Sequence, residues 1–318
     1  MIKTLIPFIF LFSIFMTETM AFEPPTKAQI LSAIGSTEEL PLQLKRALEP
    51  STDFEPIPIP APGDWLAVHP ESGQTFEDFY RARRNTPDDR RNLIYIQPLG
   101  QFAVHHSPAL DLLRDCATAY FMVNVTVLPV LSIRRADITS RINPYTGKKQ
   151  ILTAYILRML RQDLPADAFC VLSVTMEDLY PNPAWNFVFG QASLRHRVGV
   201  FSFARYDSAF YGEPRDKNYR KLLLYRSCKV LVHETAHMFS LTHCIYFRCV
   251  MNGSNHLQES DSRPLFLCPV CLRKLQSGIG FDVADRYRRL LDFYRKMQFN
   301  KEADWVSARL KWITQKND

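Results

Sequence analysis

His233, His237 and His243, with Glu234 beside the first, fix a geometry that the fold around them must satisfy. Residues four apart in an α-helix lie about 40° from one another around the axis, so His233 and His237 leave one face on consecutive turns and can reach one ion. His243 follows six residues after His237, so the helix must stop and the chain must turn back to bring the third imidazole to the same point. Three protein ligands leave a fourth position for water, which separates a catalytic zinc from a closed structural one. Glu234 cannot easily join the ligands and is free to take a proton from a zinc-bound water, the general-base role in peptide hydrolysis. The run Leu222 to Tyr225, with Cys228, Leu231, Val232, Ala236 and Phe239, gives the apolar stripe such a helix needs. The alternative is that these are ordinary polar residues on a buried helix, in a chain with only eight histidines among 318 residues.

The next residues carry a second pattern. Cys244 and Cys249 form C-x4-C, and Cys268 and Cys271 form C-x2-C around Pro269, together four of seven cysteines. Two such pairs separated by a loop read as a closed tetrahedral thiolate zinc site. Disulfides, with three possible connectivities, and a redox pair at Cys268 and Cys271 are the alternatives. The expected cofactor is therefore zinc, two ions per chain: one catalytic, on the histidines, and one structural, on the cysteines.

Around these motifs the chain alternates. Leu93 to Gln97, Met122 to Leu128, Ala168 to Val174, Trp185 to Phe189 and Val198 to Phe203 read as strands, and helices are expected from Ser107 and over about 150–161. Leu265 to Leu267 is a possible short strand. Asp282 to Met297 and Lys301 to Ile313 read as two amphipathic C-terminal helices. The expected class is α+β: a mixed, twisted sheet with helices packed on it, an active-site helix and C-terminal helices. Upstream, Phe54 to Gly63 alternates prolines and favours extended chain, so it reads as a linker, and residues 22–63 as a helical appendage with that linker ahead of a catalytic domain over 64–318.

The net charge is +7. The arginines at 81, 83, 84, 90 and 91, and those at 286, 288, 289 and 295, read as solvated faces without interleaved stacking aromatics, so no nucleic-acid partner is expected. A zinc-knuckle protein that binds nucleic acid would leave Glu234 and the three histidines without a role. At the N-terminus, Lys3, the apolar run Leu5 to Phe15 and Thr19-Met20-Ala21 resemble a signal peptide cleaved after Ala21, too short to be a comfortable membrane span. Secretion would follow, and the sequons at Asn124 and Asn252 would then be glycan acceptors. The sequence sets no oligomeric state.

Taken with Met251, Trp185 to Ser193 and Gly199 to Arg205, these motifs resemble the archaemetzincins, or archaelysin family metallopeptidases, over about Asp64 to Arg273, with the second vertebrate type the nearer match. The resemblance implies a metzincin-like zinc peptidase acting mainly on small peptides, with Met251 as an apolar floor beneath the histidines. It also implies an edge strand over Trp185 to Ser193 that pairs with extended substrate, and a cytoplasmic or nuclear site of action as the alternative to secretion. One position departs from the pattern: metzincins usually carry glycine where this chain has Ser240, at the turn that returns His243 to the metal. Serine at positive φ costs of order 1 kcal/mol, so the alternative function is a pseudoenzyme or zinc-dependent interaction module with impaired turnover.

Overall fold

The computed structural model describes residues 22–133 and 138–315. The leader expected over 1–21 lies outside them. In chain order the elements are helices α1 (Lys27–Ile34), α2 (Leu42–Leu48), α3 (Trp65–Val68) and α4 (Phe76–Arg81), strand β1 (Leu93–Leu99), helix α5 (Leu110–Phe121), strands β2 (Val125–Val127), β3 (Ser140–Ile142) and β4 (Lys149–Leu152), and helix α6 (Thr153–Gln162). Strands β5 (Ala168–Thr175), β6 (Asp178–Tyr180), β7 (Gly190–Ser193) and β8 (Val198–Ser202) follow, then helices α7 (Tyr219–Met238), α8 (Leu257–Ser262), α9 (Pro269–Ile279), α10 (Val283–Lys296) and α11 (Asn300–Thr314).

The main sheet has the order β2-β1-β5-β8-β7. Its inner strands are parallel, and β7 alone runs antiparallel, against β8 at the edge. β5 is central because it is apolar on both faces, as a doubly covered parallel strand must be. Cys170, Leu172 and Val174 enter the larger core, with residues of α5, α7 and α10, whereas Ala168 and Val171 meet Ile156, Met159 and Leu160 of α6 on the other face. A small second sheet, β3-β4-β6, is joined to the first through Arg205, whose guanidinium holds the Asp178 carboxylate by two bonds of 2.8 Å. The mixed α/β class expected from the sequence is the one observed.

Several local expectations change. The helix expected over about 150–161 begins only at Thr153, since Gln150, Ile151 and Leu152 pair with Asp178, Leu179 and Tyr180. Of Trp185 to Phe189, only Val188 bridges a neighbour, Leu179, and the edge strand starts at Gly190. Leu265 to Leu267 forms no strand. Met122 leaves the strand expected over 122–128 because it terminates α5 at φ 56°. The proline-rich stretch is extended, yet it is packed rather than free. Phe54 and Ile57 are buried, Pro56 bridges Phe247, and Ile57 N donates to the Tyr246 carbonyl at 3.3 Å. Helices α1 and α2 likewise bury Ile30, Ala33, Leu44 and Ala47 in the main core.

Candidate metal centres and cleft

α7 is one of the most deeply buried helices, and its last turns carry His233, Glu234 and His237 to the floor of a cleft. The helix ends as a Schellman motif: Ser240 N donates to the His237 carbonyl at 2.8 Å and Leu241 N reaches back to Ala236 at 3.3 Å. That motif requires a left-handed residue after the cap, and Ser240 supplies it at φ 68°. The chain then returns as required, and the ligand atoms of His233, His237 and His243 lie within 4.8 Å of one another.

Each of the three rings is oriented through Nδ1. His233 Nδ1 donates to the Val250 carbonyl at 2.8 Å, His237 Nδ1 to the Leu241 carbonyl at 2.6 Å, and His243 Nδ1 to Glu71 Oε1 at 2.9 Å. In a neutral imidazole a donating Nδ1 leaves Nε2 as an acceptor, the tautomer a metal needs. His233 Nε2 and His237 Nε2 stand 3.0 Å apart, close to the ~3.3 Å that two nitrogens about 2.05 Å from a tetrahedral zinc would span. Burial lowers His237 to about 4 and takes His233 well below its ordinary value, so both are neutral at physiological pH. Burial also pushes the Glu234 carboxyl up to about 7, and a nearby dication would draw it down again by favouring the carboxylate. The residues present therefore fit a three-histidine zinc with a base alongside.

Behind His243, the sulfurs of Cys244, Cys249, Cys268 and Cys271 also lie within 4.8 Å of one another, all buried. None is in a disulfide, and Cys244 Sγ and Cys268 Sγ are 3.5 Å apart, against about 2.05 Å for a bonded pair. Backbone N–H groups of Cys268 and Met251 point at Cys249 Sγ at 3.3 and 3.5 Å. Cys268 caps α9, Pro269 takes its first position, and Cys271 sits in its first turn. Four buried sulfurs gathered this closely fit the donor set of a closed tetrahedral zinc site. Buried Asn252 locks this loop, donating to the Cys244 and Phe247 carbonyls at 2.7 and 2.9 Å and accepting from Cys249 N at 2.7 Å. A glycan on its side-chain nitrogen would displace both donated bonds. Met251 is fully buried beside Val250, whose carbonyl holds His233.

The cleft encloses about 560 Å³ between β7 and the segment carrying Trp65, with Trp185, Phe187 and Phe189 on its walls and Arg263 beside Glu234. Glu71 has no motif to reveal it. It stands 172 positions from His243 in an unremarkable polar stretch, and only the fold brings the two together.

A buried helix with two imidazoles and a carboxylate, a third imidazole returned by a tight turn, and an antiparallel edge strand along the cleft define the zinc metallopeptidase class. The family pattern and the sequence relatives agree. The pattern of Peptidase family M54 matches residues 121–277. Archaemetzincin-2 of Mus musculus is 41% identical over 276 residues, which cover 78% of this chain and 77% of the mouse protein. Archaemetzincin-1 of Mus musculus is 35% identical over 300 residues, covering 85% of this chain and 59% of that one. Among solved structures, archaemetzincin from Methanopyrus kandleri aligns with TM-score 0.45 and 28% identity, over 60% of this chain and 97% of its own. The chain belongs to the archaemetzincin family and is a zinc metallopeptidase. Among the described residues no helix is long and apolar enough to cross a membrane.

Proposed function

We propose that the chain hydrolyses peptide bonds in small peptides, with one zinc on His233, His237 and His243, a second on Cys244, Cys249, Cys268 and Cys271, and Glu234 as general base. The observation that carries this reading is the convergence of three Nε2 atoms, each freed by an occupied Nδ1, beside a carboxyl held near neutrality. Zinc held by these three nitrogens would supply Lewis-acid chemistry, acidifying water and polarising a carbonyl. Glu234 takes the proton of the water whose oxygen adds to the carbonyl carbon, and delivers that proton to the amide nitrogen as the C–N bond breaks. The free edge of β7, antiparallel to β8, offers its backbone to an extended peptide. The aromatic walls of the cleft suit bulky apolar side chains and exclude water from the reacting atoms.

The helix-ending turn closes with serine in place, which supports turnover over the non-catalytic alternative. The cysteine site shares the peptide bond between His243 and Cys244, so a metal there holds the third catalytic ligand in position. Stripping the protein with a chelator and restoring zinc tests the reading: peptide cleavage should disappear and return with the metal. Cleavage that persists in metal-free protein would overturn it.

A further inference from the structure

His243 is oriented differently from its two partners. His233 and His237 sit on one rigid helix and donate to backbone carbonyls, which no side-chain substitution removes. His243 rides on the loop after that helix, and its Nδ1 partner is a carboxylate from a segment that precedes the matched family region, residues 121–277. Glu71 Oε1 also accepts from Trp65 Nε1 at 2.9 Å, and the Trp65 ring stands edge-on to His243 with centroids 4.9 Å apart at 81°. The imidazole is thus boxed by a carboxylate and an indole that are themselves bonded together.

The segment bearing both residues is fastened on each side of Glu71. Trp65 N donates to Glu259 Oε1 at 2.8 Å, and its ring lies so close to Gly253 that a Cβ there would come within 2.3 Å of the indole. Beyond Glu71, Gln74 Nε2 donates to the Ser240 carbonyl at 3.3 Å, and Gln74 Oε1 accepts from Thr242 N at 3.3 Å and Lys274 Nζ at 3.2 Å. Residues 64–74 are therefore docked against both the start and the end of the His243 loop. Such preorganisation is what a supporting group must have to hold a ligand within a few tenths of an ångström.

We propose that Glu71 is a positioning residue for the catalytic zinc: it fixes the tautomer and ring plane of His243, and residues 64–74 thereby complete a metal centre that the histidine motif alone leaves loosely held. This rests on the three-histidine zinc reading given above. A carboxylate acceptor also makes the imidazole a stronger donor to the metal, and loss of such a partner typically weakens metal binding roughly 10- to 100-fold.

The test measures zinc affinity at the histidine site by chelator competition, and the visible absorption of the cobalt-substituted site, in wild type, Glu71→Ala, Glu71→Gln and His243→Ala. Glu71→Ala should weaken zinc binding about 10- to 100-fold and alter the cobalt bands, with the cysteine-site metal and far-UV circular dichroism unchanged, while Glu71→Gln, which keeps an acceptor oxygen but no charge, should lose less. Should the alanine variant fail to fold, the near-isosteric glutamine variant decides alone: weaker zinc binding supports the proposal, and wild-type affinity overturns it. If Glu71→Ala folds and binds zinc as wild type does while His243→Ala does not, the positioning role fails and the peptidase reading stands. If His243→Ala itself binds zinc as tightly as wild type, the three-histidine reading has failed.

Discussion

Ser240 Oγ accepts the backbone N–H of Asn85 at 3.0 Å while the Ser240 backbone sits at φ 68°. The hydroxyl thus makes a bond that glycine could not, and Asn85 Nδ2 extends the link to the Leu194 carbonyl at 3.1 Å, next to the end of β7. Ser240→Gly relieves about 1 kcal/mol of left-handed strain and loses a hydrogen bond of about the same worth, so it should change stability by less than about 0.5 kcal/mol. Ser240→Ala keeps the strain and loses the bond, and should cost about 1 kcal/mol. Thermal unfolding of the two variants checks the order. A clear gain in the glycine variant would mean that the hydroxyl contributes nothing.

The cysteine cluster makes a separable prediction. Cys271→Ser should reduce bound zinc from two ions to one, and should lower stability by several kcal/mol, because a structural zinc contributes on the order of 10 kcal/mol to folding. Mass measurement without reductant should show no loss of hydrogens at Cys244, Cys249, Cys268 or Cys271, in keeping with their free state. Two zincs in the serine variant, or a bridged pair in wild type, would contradict the site.

The edge strand can be displaced from within. A Cβ at Gly190 would lie 2.8 Å from Phe201 Cβ and 2.9 Å from the Val200 carbonyl, so Gly190→Ala must push β7 away from β8. Overpacking of this kind costs about 1–3 kcal/mol. If peptide pairs with β7, KM should rise more than kcat falls, a split that steady-state kinetics on one peptide resolves. An unchanged KM would place the substrate elsewhere in the cleft.

Burial of Lys229 gives a prediction for the loop facing the histidines. Its ammonium donates to the carbonyls of Ser260 at 2.6 Å, Asp261 at 3.3 Å and Arg263 at 2.5 Å, tying the end of α8 to α7. Lys229→Met leaves these acceptors without their donor and should cost about 1–3 kcal/mol, read as a lower unfolding midpoint in urea.

The histidine helix, β1, β5, β8 and the two C-terminal helices were legible because their apolar spacing is set by burial along a single element. Gln150 to Leu152 was not, because its strand exists only through partners at Asp178 to Tyr180, and the adjacent helical pattern concealed it. Trp185 to Phe189 reads as a strand for a related reason: aromatics that line a cleft and aromatics in a strand have the same composition. The metal-ligand candidates were legible as local motifs. Glu71 was not, since a carboxylate that orients a ligand carries no spacing rule and lies far away in the chain.

The most direct test of the central claim compares peptide hydrolysis by wild type and Glu234→Gln at matched zinc content. Glu234 ligates nothing in this account, so the glutamine variant should hold the same two zincs and fold as wild type does, yet lose at least about 10²- to 10⁴-fold in rate, the usual contribution of a general base. A fully zinc-loaded wild type that cleaves no member of a diverse peptide library, or a glutamine variant that cleaves as fast as wild type, would contradict it.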